Sequence, residues 1–554
     1  MKNQNKLKII PLGGIKEIGK NITVIEYRDD IIIVDCGLTF PEDEMLGIDI
    51  VIPDFQYLVE NRRKIRGLVL THGHEDHIGA VPYVLKQINM PIYGTKLTLG
   101  LLENKLKEHK ISRDNLNVVK HGDTIKLGKM EVEFIKTSHS IPDSSALAIK
   151  TPLGNIIHTG DFKVDLTPIN SDAIDLNKFA EYGDKGVLLL MSDSTNATRP
   201  GYTMSESKVG ETFNDLFGKY SGSRIIIATF ASNVHRIQQI IYAAEKYDRK
   251  VVLSGRSMIN VTTVASELGY LDVKKGTIID IRNMKKYKDE ELVLITTGSQ
   301  GEPLSALTRI AYGEHKRIHL HPSDVVILSA NPIPGNEKSV TKVINKLMEK
   351  EVEVIYQTLS EIHVSGHACQ EELKLIMSLT KPKYFMPVHG ETMHILEHAS
   401  LARDMGIEDE NIIMIENGDC LEISRRGLSM GEPVTSGNIL VDGLGIGDVG
   451  NIVLRDRKHL SEDGLIAVVV TLDQKTKKMI AGPDIITRGF VYVRESGDLI
   501  EEARNVVKDI LLRCEKEGIK DWSSLKNNIR DGLKSYLFSE IKRNPMIIPI
   551  IMEV

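Results

Sequence analysis

Between Leu68 and Ala80 the chain reads LVLTHGHEDHIGA, which brings His72, His74, Asp76 and His77 into one short turn after an apolar run. Imidazole and carboxylate are the donor types that suit zinc or manganese, and so many in one turn would be costly to pack without a cation. A solvated polar loop is the alternative. Two later segments end on matching groups, His139 in IKTSHS and Asp161 in HTGDF, and His389 closes the apolar run of MPVHGE. A lone histidine is usually a surface or core residue, but its place at a strand end makes His389 a candidate ligand. Asp193 in MSDSTNA reads singly as a turn or helix cap, and His367 in HVSGHA as a packed loop histidine.

These residues need elements to position them. The first two hundred residues alternate β-branched runs with turns (LKIIPLGG, NITVIEY, DIIIVDCG, IRGLVLTHG, EVEFIKTSHS, SALAIKT, NIIHTGD, GVLLLMSDS), and polar residues collect at the C-terminal ends of these expected strands. One strand is expected to end at Thr71, with a helix starting at about Ile78. From about Ser205 strands alternate with helices, which predicts parallel βαβ units. Near Glu371 a helix leads into the strand KYFMPVHGE, which resembles the first block, so the α/β segment reads as an insertion. The glycine-rich SGNILVDGLGIGDVG (436–450) reads as a linker. Beyond it come the strands IAVVVTLD and FVYVRE, a helix with Ile500, Ala503, Val507, Ile510, Leu511 and Cys514 on one face, a second helix after Trp522, and the strand MIIPIIM.

Composition narrows the function. With 554 residues, 41% apolar and 26% charged, the chain exceeds one small core and has no long disordered tract. Its 70 Lys and Arg against 76 Asp and Glu give a net charge of -6, so any polyanion surface must be local. Arg62-Arg63-Lys64, Lys285-Lys286 and the run from Lys475 to Lys478 are basic clusters that could follow a nucleic-acid backbone or be solvated faces. Four scattered cysteines, Cys36, Cys369, Cys420 and Cys514, show no C-x-x-C pair and read as reduced thiols. No apolar run approaches a membrane span and no signal peptide is evident, so a cytoplasmic protein is expected.

His72-Gly73-His74-Glu75-Asp76-His77 resembles the H-x-H-x-D-H signature of the metallo-β-lactamase fold, which implies an αββα sandwich. By that resemblance one metal is held by His72, His74 and His139, the other by Asp76, His77 and His389, with Asp161 bridging and Asp35 orienting ligands from behind. Two zinc ions per subunit are implied, with manganese or magnesium as substitutes. The insertion, marked by Asp193 and His367, resembles the β-CASP domain of nucleic-acid-processing members. Segments from IIPLGGIKEIGKN through DCGLTFPE, SDSTNATRPGYT, TFASNVHR, TTGSQGEP, SANPIPGNE and HVSGHA to PVHGE are similar to bacterial ribonuclease J along nearly the full length. The complete ligand set resembles the catalytically complete paralogue. The implied division is 1–205 for the first part of the metallo-β-lactamase domain, 206–369 for β-CASP, 370–430 for the return segment, 431–450 for the linker and 451–554 for a C-terminal α/β domain.

The resemblance implies 5'-to-3' exonuclease and endonuclease action on single-stranded RNA, in ribosomal RNA maturation and messenger RNA decay, leaving 5'-phosphate products. Two cations activating a hydroxide for in-line attack fit this chemistry, with Asp76 among the catalytic groups, His367 protonating or stabilising the leaving 3'-oxygen and Asp193 setting the geometry. Ser232-Asn233-Val234 and His363-Val364-Ser365-Gly366-His367 match segments that hold RNA phosphates in the family; as sequence they are either anion-binding nests or two tight turns. A pocket sized for a monophosphate would favour 5'-monophosphorylated RNA. A homodimer or homotetramer, a paralogous ribonuclease J subunit and other RNA-decay proteins are the implied partners. The competing readings are a small-ester metallo-hydrolase, a non-catalytic RNA-binding subunit of a degradation complex, and a DNA repair nuclease.

Overall fold

A computed structural model describes residues 5–332, 336–356, 362–476, 478–491 and 497–554. Parts of SANPIPGNE and FVYVRE, and Lys477 of the last basic cluster, lie outside them. The chain divides into two compact units, one of Met1–Thr39 and Ile52–Asn438, the other of Phe40–Val51 and Ile439–Val554.

The first unit carries the sandwich. Its β-branched runs are buried on both faces, so they form sheets covered on each side. One sheet has eight strands, in the order Gly427–Met430, Leu421–Ser424, Leu7–Gly13, Ile22–Tyr27, Asp30–Val34, Ile65–Val69, Ile92–Gly94, Leu116–Val118. The other has six, in the order Tyr384–Val388, Val187–Asp193, Gly154–His158, Ser145–Thr151, Met130–Lys136, Thr124–Leu127. Ile9, Ile25, Ile32 and Val69 of the first sheet share one core with Phe134, Leu147, Ile156, Leu189 and Met386 of the second. Outside the second sheet, Phe179 and Tyr182, Leu373 and Ile376, and Ala399 and Ala402 bring three helices onto Ile135, Ala148, Ile157 and Phe385. On the first sheet the helix Lys96–Glu108 packs against Ile92–Gly94 and Leu116–Val118. This is the αββα layering expected of the fold.

The inserted segment builds its own six-stranded sheet, all parallel, ordered Ile278–Ile279, Lys250–Ser254, Leu292–Thr296, Ile225–Ala228, Val325–Leu328, Glu353–Ile355. The chain leaves and re-enters the sandwich through neighbouring strands. Val187–Asp193 pairs in parallel with Tyr384–Val388, Asp193 facing Val388. That register places Asp193 beside His389, although the sequence separates them widely.

In the second unit the strands Met479–Arg488, Leu465–Leu472 and Met546–Glu553 form a sheet. The helices Gly497–Lys516 and Trp522–Ile541 pack against it through Val507, Cys514, Ile529 and Leu533, which meet Ile466, Val468 and Val470. The six residues expected to line the inner face of Gly497–Lys516 are the buried ones. The glycine-rich stretch differs from the linker expected there: Asn438–Asp442 and Gly445–Ile446 pair as a hairpin. Residues 40–51, expected within the first domain, join this unit, with Ile48 and Val51 buried against Leu440 and Val449.

Candidate metal centre

The H-x-H-x-D-H turn follows the strand Ile65–Val69 and carries a four-residue helix, Glu75–Ile78. That helix starts three residues earlier than the sequence indicates, because tertiary bonds hold it. Asn21 N donates to Asp76 O, Cys36 N to His77 O and Leu38 N to Glu75 O, at 3.0, 2.8 and 3.1 Å. His139 reaches the turn from the end of Met130–Lys136, and Asp161 from the loop after Gly154–His158; Lys163 N bonds Ser138 O at 2.8 Å and clips these loops together.

All seven expected ligands converge. The donor atoms of His72, His74, His139 and Asp161 lie within 4.8 Å of one another, and so do those of Asp76, His77, Asp161 and His389. Asp161 belongs to both groups: its Oδ2 is 3.6 Å from His72 Nε2 and 3.2 Å from His77 Nε2, and its Oδ1 is 2.9 Å from His389 Nδ1. A third group unites Asp161, Asp193, His367 and His389. Placing Asp193 and His367 at ligand distance goes beyond the roles read from the sequence.

The hydrogen bonds fix the tautomers. Thr71 N and Oγ1 both donate to Asp35, each at 2.8 Å, so Thr71 Oγ1 accepts from His72 Nδ1 at 3.0 Å. His139 Nδ1 donates to Gly366 O at 2.7 Å, and His77 Nδ1 to Asp35 Oδ2 at 2.7 Å. His72 and His139 therefore each turn an Nε2 lone pair inward, and His77 turns its Nε2 toward Asp161. His72 Nε2 and His139 Nε2 both lie 3.1 Å from His74 Nδ1, while His74 Nε2 is buried with no hydrogen-bond partner among the described residues. At most one proton can lie among these three nitrogens, so at least two lone pairs point at one spot, an arrangement that a cation relieves. The donor set fits a divalent metal.

Electrostatics divide the cluster. Burial, then the neighbouring imidazoles, keeps His72 and His139 well below the ordinary histidine range, and burial lowers His74 to about 4. These rings are neutral, as ligands must be. Burial also opposes charge on His77 and His389, but Asp161 and then Asp76 outweigh it, so His77 is raised and His389 rises to about 10. Burial likewise opposes ionisation of Asp76 and Asp161, yet His77 and His389 hold both carboxyls well below their usual range.

His367 sits beside this centre, its Nδ1 2.8 Å from Asp193 Oδ2. Burial disfavours its charge, and Asp193 more than compensates, raising its pKa. Asp193 Oδ1 accepts from Thr195 N and Oγ1 at 3.0 and 2.8 Å, so the same carboxylate also caps a turn. Ser232, Asn233 and Val234 form the entry to the helix Val234–Lys246, where Asn233 Oδ1 accepts from Arg236 N at 3.0 Å. His363–His367 lies across Arg236, whose Nη1 is 3.4 Å from His363 Nδ1 and whose Nη2 is 3.5 Å from Val364 O. Asn196 Nδ2 donates to Ser365 Oγ and His367 O at 2.8 and 2.9 Å. Asn21 also joins the centre: its Nδ2 lies 3.4 Å from Asp76 Oδ2 and 3.2 Å from His77 Nε2. Its only sequence signal is a polar residue entering the strand Ile22–Tyr27. His139 also borders a cavity of about 350 Å³ lined by Ser138, Lys163, His235 and Tyr270, a volume typical of small-molecule pockets.

Four family models match successive parts of the chain. Residues 16–199 match the metallo-beta-lactamase superfamily, 222–347 the ribonuclease J beta-CASP domain, 351–414 the Zn-dependent metallo-hydrolase RNA specificity domain and 452–554 the ribonuclease J C-terminal domain. Ribonuclease J2 of Bacillus subtilis (strain 168) is 47% identical over 555 residues, covering 100% of both chains. The chain belongs to the ribonuclease J family. Ribonuclease J 1 of Streptococcus pyogenes serotype M3 is also 47% identical, over 99% of this chain and 98% of the relative. Ribonuclease J 2 of Staphylococcus aureus (strain NCTC 8325 / PS 47) is 44% identical over the full length of both. A solved structure of a protein of unknown function from Enterococcus faecalis V583 shares the fold, at TM-score 0.54 and 19% identity over 75% of this chain and 100% of that one. This ribonuclease J family protein is thus a metallo-hydrolase whose His and Asp cluster is able to bind metal.

Proposed function

We propose that this ribonuclease J family protein hydrolyses single-stranded RNA, from the 5' end and internally, leaving 5'-phosphate products. The observation that carries the proposal is the pair of ligand groups sharing Asp161 beside the His367–Asp193 pair. His72, His74 and His139 would hold one divalent ion, Asp76, His77 and His389 the other, with Asp161 between them. Zinc is the first choice, with manganese or magnesium as substitutes. Such a pair of cations supplies Lewis acidity and an activated water for in-line displacement at phosphorus.

The chain's own groups do the rest. Asp35 orients His77, Thr71 orients His72 and Gly366 O orients His139, each through the nitrogen that does not face the centre. His367, held through Nδ1 by Asp193, has Nε2 to offer a proton or hydrogen bond to the leaving 3'-oxygen. Ser232-Asn233-Val234 and His363–Gly366 form a nest for a 5'-monophosphate, which a triphosphate would overfill. The complete ligand set favours the catalytically complete paralogue, whereas relatives named J2 and J 1 are equally similar and do not distinguish the two. Ribosomal RNA maturation and messenger RNA decay in the cytoplasm, as a homodimer or homotetramer able to join a paralogous subunit, fit this family membership. No helix among the described residues is long and apolar enough to cross a membrane.

The test follows one single-stranded RNA carrying a 5'-monophosphate, triphosphate or hydroxyl, with wild type and Asp76→Ala, in zinc or manganese. Mononucleotide release from the monophosphate RNA, abolished by the substitution, supports the proposal. Turnover of small esters without any RNA cleavage would replace it with the small-ester reading.

A further inference from the structure

Arg236 is fully buried in the first turn of the helix Val234–Lys246, directly after the Ser232-Asn233-Val234 turn. Nothing in the chemistry above uses it. Its Nε and Nη2 form a two-pronged pair with Glu206, which opens the helix Glu206–Lys219 where the insertion begins. Its Nη1 donates to Ser329 O and Ser329 Oγ, both at 2.9 Å, and to Ile362 O at 3.3 Å. The Ser329 hydroxyl in turn donates a hydrogen bond to Ile362 O. One guanidinium thus ties together the entry of the inserted domain, one proposed phosphate turn, the end of a central strand and the start of the other phosphate turn.

We infer that Arg236 is a positioning residue that sets the spacing between the two halves of the 5'-phosphate nest, and with it the preference for a monophosphorylated end. The inference rests on the proposed RNA-end reading of those turns. Only a planar fork can serve Glu206, Ser329 and the 362–364 backbone at once; a lysine ammonium keeps the charge and loses the geometry. Burial, and then the charge of Arg236 itself, also keeps the adjacent His363 neutral. His367 is held separately: Asp193 takes its Nδ1, and Asn196 and Thr203 Oγ1 take its carbonyl at 2.9 and 2.8 Å. Loosening Arg236 therefore shifts the 362–364 end of the nest, while Asn196 holds Ser365 and His367 and so keeps the Gly366 carbonyl on His139.

The experiment compares wild type, Arg236→Lys and Ser329→Ala in zinc on three substrates: 5'-monophosphate RNA, 5'-hydroxyl RNA of the same sequence, and bis(p-nitrophenyl) phosphate. Ser329→Ala removes only the hydroxyl that bridges Arg236 to Ile362, so it keeps the test open where Arg236→Lys folds poorly. The expected result is a fall of about ten-fold in the monophosphate-to-hydroxyl rate ratio for Arg236→Lys and a smaller fall for Ser329→Ala, as for the loss of charge-assisted hydrogen bonds. Turnover of the small diester should stay within about two-fold of wild type, the scale of a change that spares the reacting groups. An unchanged ratio in both variants overturns the inference, as does an equal loss on all three substrates. Wild-type protein that cleaves both RNAs equally would sink the end-sensing reading itself, a result distinct from an insensitive variant.

Discussion

Asp35 and His389 hold backbone φ angles of 58° and 53°, a left-handed region that strains non-glycine residues and persists only where surroundings over-determine it. At Asp35 the surroundings are Thr71 and His77, which take both carboxylate oxygens. Asp35→Ala should weaken metal binding about 10- to 100-fold, measured by competition with a chromophoric chelator; unchanged affinity would remove Asp35 from the ligand-orienting role. Gly37 packs so closely that an added Cβ would lie 1.6 Å from Asp76 O. Gly37→Ala should therefore displace the Asp76–His77 turn and lower metal content in elemental analysis, with little change expected only if the turn can retreat. The proposed ligands are legible in the sequence because strand ends deliver them in a recognisable order. Arg236 and Asn21 are not, because their partners, Ile362 and Asp76, are distant in sequence and nothing local marks a buried guanidinium or amide.

Elements were legible where periodicity decides them and obscure where tertiary bonds do. The inner face of Gly497–Lys516 was readable because its apolar residues recur at helical spacing. The helix Glu75–Ile78 is hard to read from sequence because four residues carry no periodic signal, and its N-cap, His74, makes no side-chain cap bond. The glycines of 436–450 suggested a linker, yet Ile439, Leu440 and Val441 among them gave enough apolar surface for a hairpin strand. Ile529, fully buried in Trp522–Ile541, anchors that helix to the C-terminal sheet. Ile529→Ala should destabilise this unit by ~2–5 kcal/mol, the range for deleting a buried aliphatic chain. Trp522 is the chain's one tryptophan and lies in the same helix, so its fluorescence in a urea titration reports the shift directly.

For the whole molecule, all seven proposed ligands lie in the unit of Met1–Thr39 and Ile52–Asn438. A ligand present at a hundred times its dissociation constant stabilises the state that binds it by about 2.7 kcal/mol. Chelation should therefore lower the calorimetric transition of that unit and leave the Trp522 transition in place; coincident shifts would show that the two units unfold together. The membership of Phe40–Val51 in the second unit was invisible because a short segment between strands has no pattern that names its packing partner. The neighbouring strands Val187–Asp193 and Tyr384–Val388 also have a consequence in time. His389 is made 228 residues after Asp161, and at ~5–20 residues per second of synthesis that interval lasts roughly 11–46 s. Throughout it the growing chain holds most of the proposed ligand set without His389, and once Val187–Asp193 is made, one side of that strand awaits Tyr384–Val388. The last proposed ligand is thus made only after the inserted domain has been synthesised, so a metal centre that needs His389 cannot be complete on the partly made chain.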